Sequence, residues 1–362
     1  MSSSVTHDAR FRSELPAGSL VDDVAGLTEL LRCAGRLPDG GRVTAARATP
    51  VDGSGLVGTV VRLRLAYAPD GPPGPASLVL KTASAALIEG PRLAEVEAEF
   101  YRHLAPRLPE PVAPHVLGSG REAGGGPRWL LLEDLGERGF VRQFDGCSAE
   151  QALAAVRKLA ALHAPWWGRD LPAGAREITV PRDATVTAFC ARWLGSYTGA
   201  WPPVLGDAPH RLLAGFDRLV TRLAAAPRTL VHGDFHSQNI AFGAADRPRD
   251  VRFVDFQFAQ HGRGPLDVAR FLATSLTPRL RRAVEADLVR EYHRVLLARG
   301  VTGYDLDRCR HDVRAALPWN LATPLALHVM AVQQRGREWP ARFPIIERCL
   351  AAIDDWDAWN VP

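Results

Sequence analysis

The stretch LVHGDFHSQNIAF at 230–242, with VRFVDFQFAQ at 251–260, decides how this chain reads. Each half contains a short apolar strand, the polar GAADRPRD between them reads as a hairpin turn, and acids sit where strands give way to loops. Asp234 and Asn239 stand five residues apart in one loop, and Asp255 ends the returning strand. Histidine-x-aspartate, four residues, asparagine, then aspartate-phenylalanine on the next strand is the spacing of phosphoryl-transfer chemistry. That reaction has a loose transition state with charge spread over the phosphoryl oxygens, so catalysis comes from positioning and from cations. Asn239 and Asp255 offer the hard oxygen donors that Mg2+ prefers. Asp234 is placed to orient an acceptor hydroxyl and take its proton.

Two other chemistries fit these residues less well. His232 and His236 are four apart, as in a zinc pair, but Gly233 and Asp234 interrupt the helix such a pair requires. Both histidines read instead as braces of the loop through backbone hydrogen bonds. No serine lies in a glycine-x-serine-x-glycine elbow, which argues against a serine hydrolase.

Upstream, GSGLVG at 53–58 poses a choice between a dinucleotide loop, a phosphate lid and a plain turn. A dinucleotide loop must open a helix. Here TVVRLRLAY follows, a β-branched alternating strand, and VTAARATPV at 43–51 is a strand candidate before it. Strand, glycine loop, strand is the geometry of a lid over phosphates, with Gly53, Ser54, Gly55 and Gly58 letting backbone amides approach the anion. One strand later, SLVLKTAS at 77–84 carries the single cation Lys81, where a nucleotide site needs a point charge. The segment at 91–108 reads as a helix with Leu93, Val96, Phe100 and Leu104 on one face. Glu97 shares that face and is the expected partner of Lys81, while Glu95 and Glu99 are expected to turn outward. The apolar strand Trp129–Leu132 leads to Glu133 and Leu135, whose backbone groups are expected to meet a purine edge. Next, SAEQALAAVRKLAALH opens with Ser148 and Gln151 at capping-box spacing; its final His163 reads as structural.

The 362 residues divide by this reading into a nucleotide-binding lobe with an N-terminal helical extension, 1–134, and a catalytic and acceptor-binding lobe, 135–362. The formal charge of +4 comes from dispersed arginines, so no nucleic-acid partner is expected. No apolar run of signal-peptide or membrane-span length is visible, and the five cysteines are odd in number and far apart. A cytoplasmic protein with reduced thiols and no membrane partner is the expectation. Oligomeric state leaves no mark in the sequence.

HGDFHSQN, VDFQ and GPLDVARFL at 264–272 resemble the aminoglycoside phosphotransferase and choline kinase superfamily, and the DFQ form looks most like its ecdysteroid-kinase-like branch. The resemblance implies an α+β, bilobal protein-kinase-like fold: a small lobe with an antiparallel sheet and one helix, and a larger, mostly helical lobe. It implies ATP and Mg2+ as cofactors, Asp234 as the catalytic aspartate, Asn239 and Asp255 as magnesium ligands, Lys81 and Glu97 as the nucleotide-side pair, and Asp267 as a brace of the catalytic loop. Gln257 departs from the protein-kinase triplet, and no activation segment of protein-kinase length follows, which disfavours a protein substrate. The expected function is ATP-dependent O-phosphorylation of a small-molecule hydroxyl. The alternatives are an antibiotic-resistance kinase acting on aminoglycosides and an inactive nucleotide-binding scaffold. Residues 261–362 hold 15 arginines and no lysine against 12 carboxylates, which disfavours a polycationic acceptor, although Asp354, Asp355 and Asp357 could form a local acidic cluster. Trp319, Trp339, Trp356 and Trp359 offer apolar surface for a partly apolar acceptor.

Overall fold

The computed structural model describes residues 20–51, 58–83, 90–121, 128–136, 138–179, 186–225, 227–243, 250–335 and 343–361. The chain divides into two compact units, one formed by residues up to Pro106 together with Ala113–Gly136, the other by Arg107–Val112 together with residues from 137 onward. The architecture is the α+β, bilobal protein-kinase-like one.

In the first unit, β1 (Val43–Pro50), β2 (Gly58–Tyr67), β3 (Ser77–Ala83), β4 (Val116–Arg121) and β5 (Arg128–Glu133) form an antiparallel sheet in the order β1-β2-β3-β5-β4. Helix α1 (Val24–Cys33) is capped by Asp23, whose carboxylate accepts the Gly26 amide at 2.7 Å. Its Leu27, Leu30 and Leu31 are buried with Leu63, Leu78, Leu117, Trp129 and Leu131 of the sheet. Each such leucine contributes on the order of 2 kcal/mol, so this one helix face anchors the sheet. Gly58 has a packing role of its own, since a Cβ there would lie 2.5 Å from the Thr82 carbonyl oxygen on β3.

The helix expected over 91–108 keeps α winding only through α2 (Gly90–Glu99), then passes through a π turn (Phe100–Leu104) and a 3-10 turn (Ala105–Arg107). Pro106 explains the change: it has no amide to donate and its ring crowds the preceding turn. The rewinding buries Phe100, Tyr101 and Leu104 together.

The second unit is mainly helical. Helix α3 (Ala149–His163) begins with the capping box, Gln151 N–H donating to Ser148 Oγ at 3.2 Å and Ser148 N–H to Gln151 Oε1 at 2.9 Å. After α4 (Val186–Gly195) and α5 (Ala208–Ala224), β7 (Thr229–Val231) pairs with β10 (Gln260–Gly262). A second small sheet joins β6 (Gly139–Phe140), β8 (Ile240–Phe242) and β9 (Arg252–Phe253). Helices α6 (Pro265–Ser275), α7 (Pro278–Ala298), α8 (Leu306–Ala316), α9 (Trp319–Arg335) and α10 (Phe343–Asp355) complete the unit. Contrary to the sequence expectation, the run Leu306–Gln334 is long and apolar enough to cross a membrane by composition; 89% of its apolar window is buried inside the protein, which accounts for the composition as core.

Candidate active site

The segment 232–239 leaves β7, runs along α6 and, after a 3-10 turn at Ser237–Asn239, continues into β8 of the three-stranded sheet. Asp267, fully buried on α6, accepts the amides of His232 at 2.6 Å and Gly233 at 2.9 Å, so it braces the loop as the resemblance implies. One turn later Arg270 pairs with Asp234, then Phe271 meets Phe235 at a ring separation of 5.4 Å, and finally Ser275 Oγ accepts the Ser237 amide at 2.9 Å. Positions 267, 270, 271 and 275 share one helix face, and the loop is matched to it in the same order. Gly233 is held at φ +82, and a Cβ there would sit 2.0 Å from the Phe258 carbonyl oxygen. Only glycine fits that turn.

The histidines divide the work. His163, predicted structural, is buried, with Nε2 3.2 Å from Asp267 Oδ2 and Nδ1 2.8 Å from the Tyr292 hydroxyl, so it supports the brace from behind. The Asp234 amide donates to His232 Nδ1 at 3.3 Å, which puts the ring proton on Nε2, 2.9 Å from the Val254 carbonyl. Burial keeps His232 neutral by lowering its pKa despite nearby carboxylates. His232 thus braces the loop as expected. His236 differs from expectation: its Nε2 faces Asp234 Oδ2 at 3.4 Å, so it addresses the candidate catalytic carboxylate.

Asp234 is mostly buried. Burial favours its neutral form, but the Arg270 guanidinium, with His236 and His232, holds it well below the usual carboxylate range. It is therefore a fixed anion at neutral pH. Asn239 donates through Nδ2 to the Asp234 carbonyl at 3.0 Å, which seats the amide beside it. The Val254 amide donates to the Asn239 carbonyl at 3.0 Å, and so the next residue, Asp255, stands close to Asn239 across the β8–β9 pairing. Asp255 adopts the left-handed backbone, φ 69, uncommon outside glycine, and accepts from Gln257 Nε2 at 3.1 Å. Gln257, the departure from the protein-kinase triplet, thus orients this carboxylate. Asn239 and Asp255 each carry an oxygen donor of the hard kind that magnesium prefers. Among the described residues no three or more His, Cys, Asp or Glu side chains are grouped so that they could hold a metal ion.

In the first unit Lys81 lies on β3 between Val60 of β2 and Leu130 of β5. Its Nζ meets Glu97 Oε2 at 2.6 Å, and Glu97 is 2% exposed. The pair chosen from the sequence forms. Glu95, expected to face outward, is drawn to Arg121 and Arg128, the latter at 2.5 Å, and ties α2 to β4 and β5. Gly53, Ser54 and Gly55 lie outside the described residues. The amide of Glu133 donates to the His115 carbonyl at 2.9 Å, so it is not a donor for a purine; Leu135 is buried just beyond.

The supposed acceptor surface needs correction. Trp319 is 3% exposed and packs on Phe216 at 5.8 Å, so it belongs to the core. Trp359 lies under the Arg211 guanidinium, and Trp339 is outside the described residues. Asp355 is held by Arg281 and Arg282, and Asp357 by Arg314, so these acids are locally neutralised. Two site residues escaped the sequence reading, Arg270 and Ser275. Their signal was spacing: both fall on the helix face of Asp267.

Together, the antiparallel sheet with its buried Lys81–Glu97 pair and the helix-templated loop define a protein-kinase-like fold. Residues 194–300 match the model of the ecdysteroid kinase-like family. No curated protein matches the chain by sequence. Among solved structures, a microcompartment-associated aminopropanol kinase superposes with TM-score 0.60 at 14% identity, covering 93% of this chain and 99% of that one. A variant of aminoglycoside 2'-phosphotransferase-IIIa in its GDP complex gives 0.54 at 12%, covering 93% and 98%. Plasmodium vivax ethanolamine kinase gives 0.53 at 10%, covering 86% and 81%. The chain has the fold of the aminoglycoside phosphotransferase and choline kinase superfamily.

Proposed function

We propose that this protein is a magnesium-dependent phosphotransferase that moves the γ-phosphoryl group of ATP to a hydroxyl of a small molecule. One observation carries the reading: Asp234 and Asn239 are held together on a loop that Asp267 fixes through two backbone amides, and the Val254 amide ties the segment bearing Asp255 to the Asn239 carbonyl. The fold neighbours support it, being kinases of small molecules by name, one of them solved as its GDP complex.

Asp234 accepts a hydrogen bond from the acceptor hydroxyl, turning an oxygen lone pair toward phosphorus. The new bond forms from that oxygen to the γ-phosphorus as the bond to the β–γ bridging oxygen breaks, and ADP leaves with the bridging electrons. The hydroxyl proton passes to Asp234 and then to water. Because that carboxylate has a low proton affinity, its work is chiefly orientation, with proton transfer late, as a loose transition state requires. Asn239 and Asp255 would hold magnesium, which supplies charge neutralisation on the phosphates. Within the first unit, Lys81, set by Glu97, is a point charge of the kind a nucleotide phosphate requires.

The test is magnesium-dependent ADP release from ATP across a panel of hydroxylated metabolites, with Asp255→Ala as the blank and mass analysis of the product. Transfer to at least one alcohol is expected. Tight binding of the nucleotide with no release above the blank would instead make the protein a nucleotide-binding scaffold.

A further inference from the structure

Resting on that reading, we infer that Arg270 sets the charge class of the acceptor: the hydroxyl phosphorylated belongs to a compound without an ammonium group beside it. In this site Asp234 is the carboxylate an incoming amino alcohol would use, binding by hydroxyl and ammonium at once. Arg270 is already there. Its guanidinium pairs with Asp234 Oδ1, while His236 Nε2 and Asn239 Nδ2 face Oδ2 at 3.4 and 3.5 Å. The side chains of Arg270 and Asp234 are only 16% and 19% exposed, so solvent screens the pair weakly.

The pair is close to electrically neutral as seen from the acceptor. An ammonium brought alongside gains from the carboxylate about what it loses to the guanidinium. Three further acids of this unit are likewise held by arginine: Asp312 by Arg263 and Arg308, Asp355 by Arg281 and Arg282, and Asp357 by Arg314. A neutral or acidic alcohol suffers no such disadvantage, since it needs only the lone pairs of Asp234 for its hydroxyl. Arg270 therefore acts as a specificity residue placed on the catalytic carboxylate itself.

The size of the effect follows from Coulomb's law. Two unit charges about 6 Å apart, at an effective dielectric near 20, change a rate or affinity by about a hundredfold. The experiment is the ADP-release assay on matched acceptors, 1,2-propanediol against 1-amino-2-propanol and glucose against glucosamine, and on whichever neutral alcohol the wider panel returns. It compares the native protein with Arg270→Gln, which keeps a hydrogen-bond donor but loses the charge, and Arg270→Lys, which keeps the charge. Thermal unfolding confirms that each variant is folded. If Arg270→Gln turns over too slowly, calorimetric binding of 1-amino-2-propanol reads the same preference.

The native protein should favour the amine-free member of each pair. Arg270→Gln should shift the ratio toward the amine by tenfold to a hundredfold, and Arg270→Lys should leave it near the native value. A native preference for amines, or an unchanged ratio in Arg270→Gln, overturns the assignment of Arg270 and leaves phosphoryl transfer standing. Absence of transfer to every compound overturns the phosphotransferase reading, and this inference with it.

Discussion

Replacing Asp267 with asparagine is the sharpest perturbation of the loop at 232–239, because it keeps size and removes one acceptor. In the native protein Oδ2 takes the His232 amide at 2.6 Å and faces His163 Nε2 at 3.2 Å, while Oδ1 takes the Gly233 amide at 2.9 Å. Asparagine can serve one amide with its oxygen but must turn its NH2 group toward the other. One charge-assisted bond disappears, at roughly 1.5–3 kcal/mol, and a buried amide is left facing a donor, at roughly 1–3 kcal/mol. The sum, about 4 kcal/mol, is a large share of a typical domain stability of about 5–15 kcal/mol. For a unit of this size it corresponds to a fall in Tm of about 10 °C. Denaturant unfolding followed by tryptophan fluorescence measures the stability, and ADP release below the transition measures the chemistry. Because Gly233 precedes Asp234 directly, kcat should fall about a hundredfold even where the variant is folded, the scale of a 1 Å misplacement. A loss below about 1 kcal/mol, or an unchanged kcat, would show that the loop stands without its brace.

Gly233→Ala combines a strained φ of +82 with a Cβ 2.0 Å from a backbone carbonyl, so it should lower Tm and abolish ADP release; a folded, active variant would mean that the turn at Phe258 can retreat. Lys81→Met leaves the buried Glu97 carboxylate without that ammonium and should cost about 3 kcal/mol in denaturant unfolding. Adding Glu97→Gln should recover most of that stability but not the affinity for Mg-ADP measured by calorimetry, and recovery of both would separate the pair from nucleotide binding. Glu291 is lowered to about 2 chiefly by the hydrogen bond from Arg294, against a burial effect, with help from Arg157. A depressed folded pKa stabilises above the ordinary carboxylate value and loses that stabilisation as pH falls toward 2. Glu291→Gln should therefore cost about 1 kcal/mol at pH 7 after allowance for solvent screening, with the gap to the native protein closing between about pH 4.5 and 2 in urea titrations. A gap that persists at pH 2 would contradict the assignment.

How far the sequence could be read depended on whether a residue's role is local. Strand β2, the capping box at Ser148 and Gln151, and the buried side of Glu97 follow from periodicity and neighbours a few positions away, and all appear in the structure. The rewinding after Glu99 was also written locally, in Pro106, but periodicity alone continues a helix through such a residue. Trp319 shows the opposite limit: an aromatic residue suits a pocket and a core equally, and only its packing on Phe216 decides. The pairings of Asp355 and Asp357 with arginines up to 74 positions away were invisible for the same reason.

Arg270 is the instructive case, because the information was present and its meaning was not. Asp267 and Arg270 are three apart on a helix, a spacing that ordinarily signals two neighbours on one face. Once Asp267 is placed against the His232 and Gly233 amides, geometry leaves the next turn of α6 beside the next residue of the loop, which is Asp234. Phe271 and Ser275 continue the match to Phe235 and Ser237. A single buried helix thus sets the loop's backbone, the ionisation of its carboxylate and the start of the turn that carries Asn239. Moving α6 by a fraction of its rise per residue would disturb all three at once, so position and charge at the candidate catalytic carboxylate are coupled through one element. A substitution elsewhere on α6 that shifts the helix should therefore change acceptor preference and kcat together, whereas Arg270→Gln should change preference most.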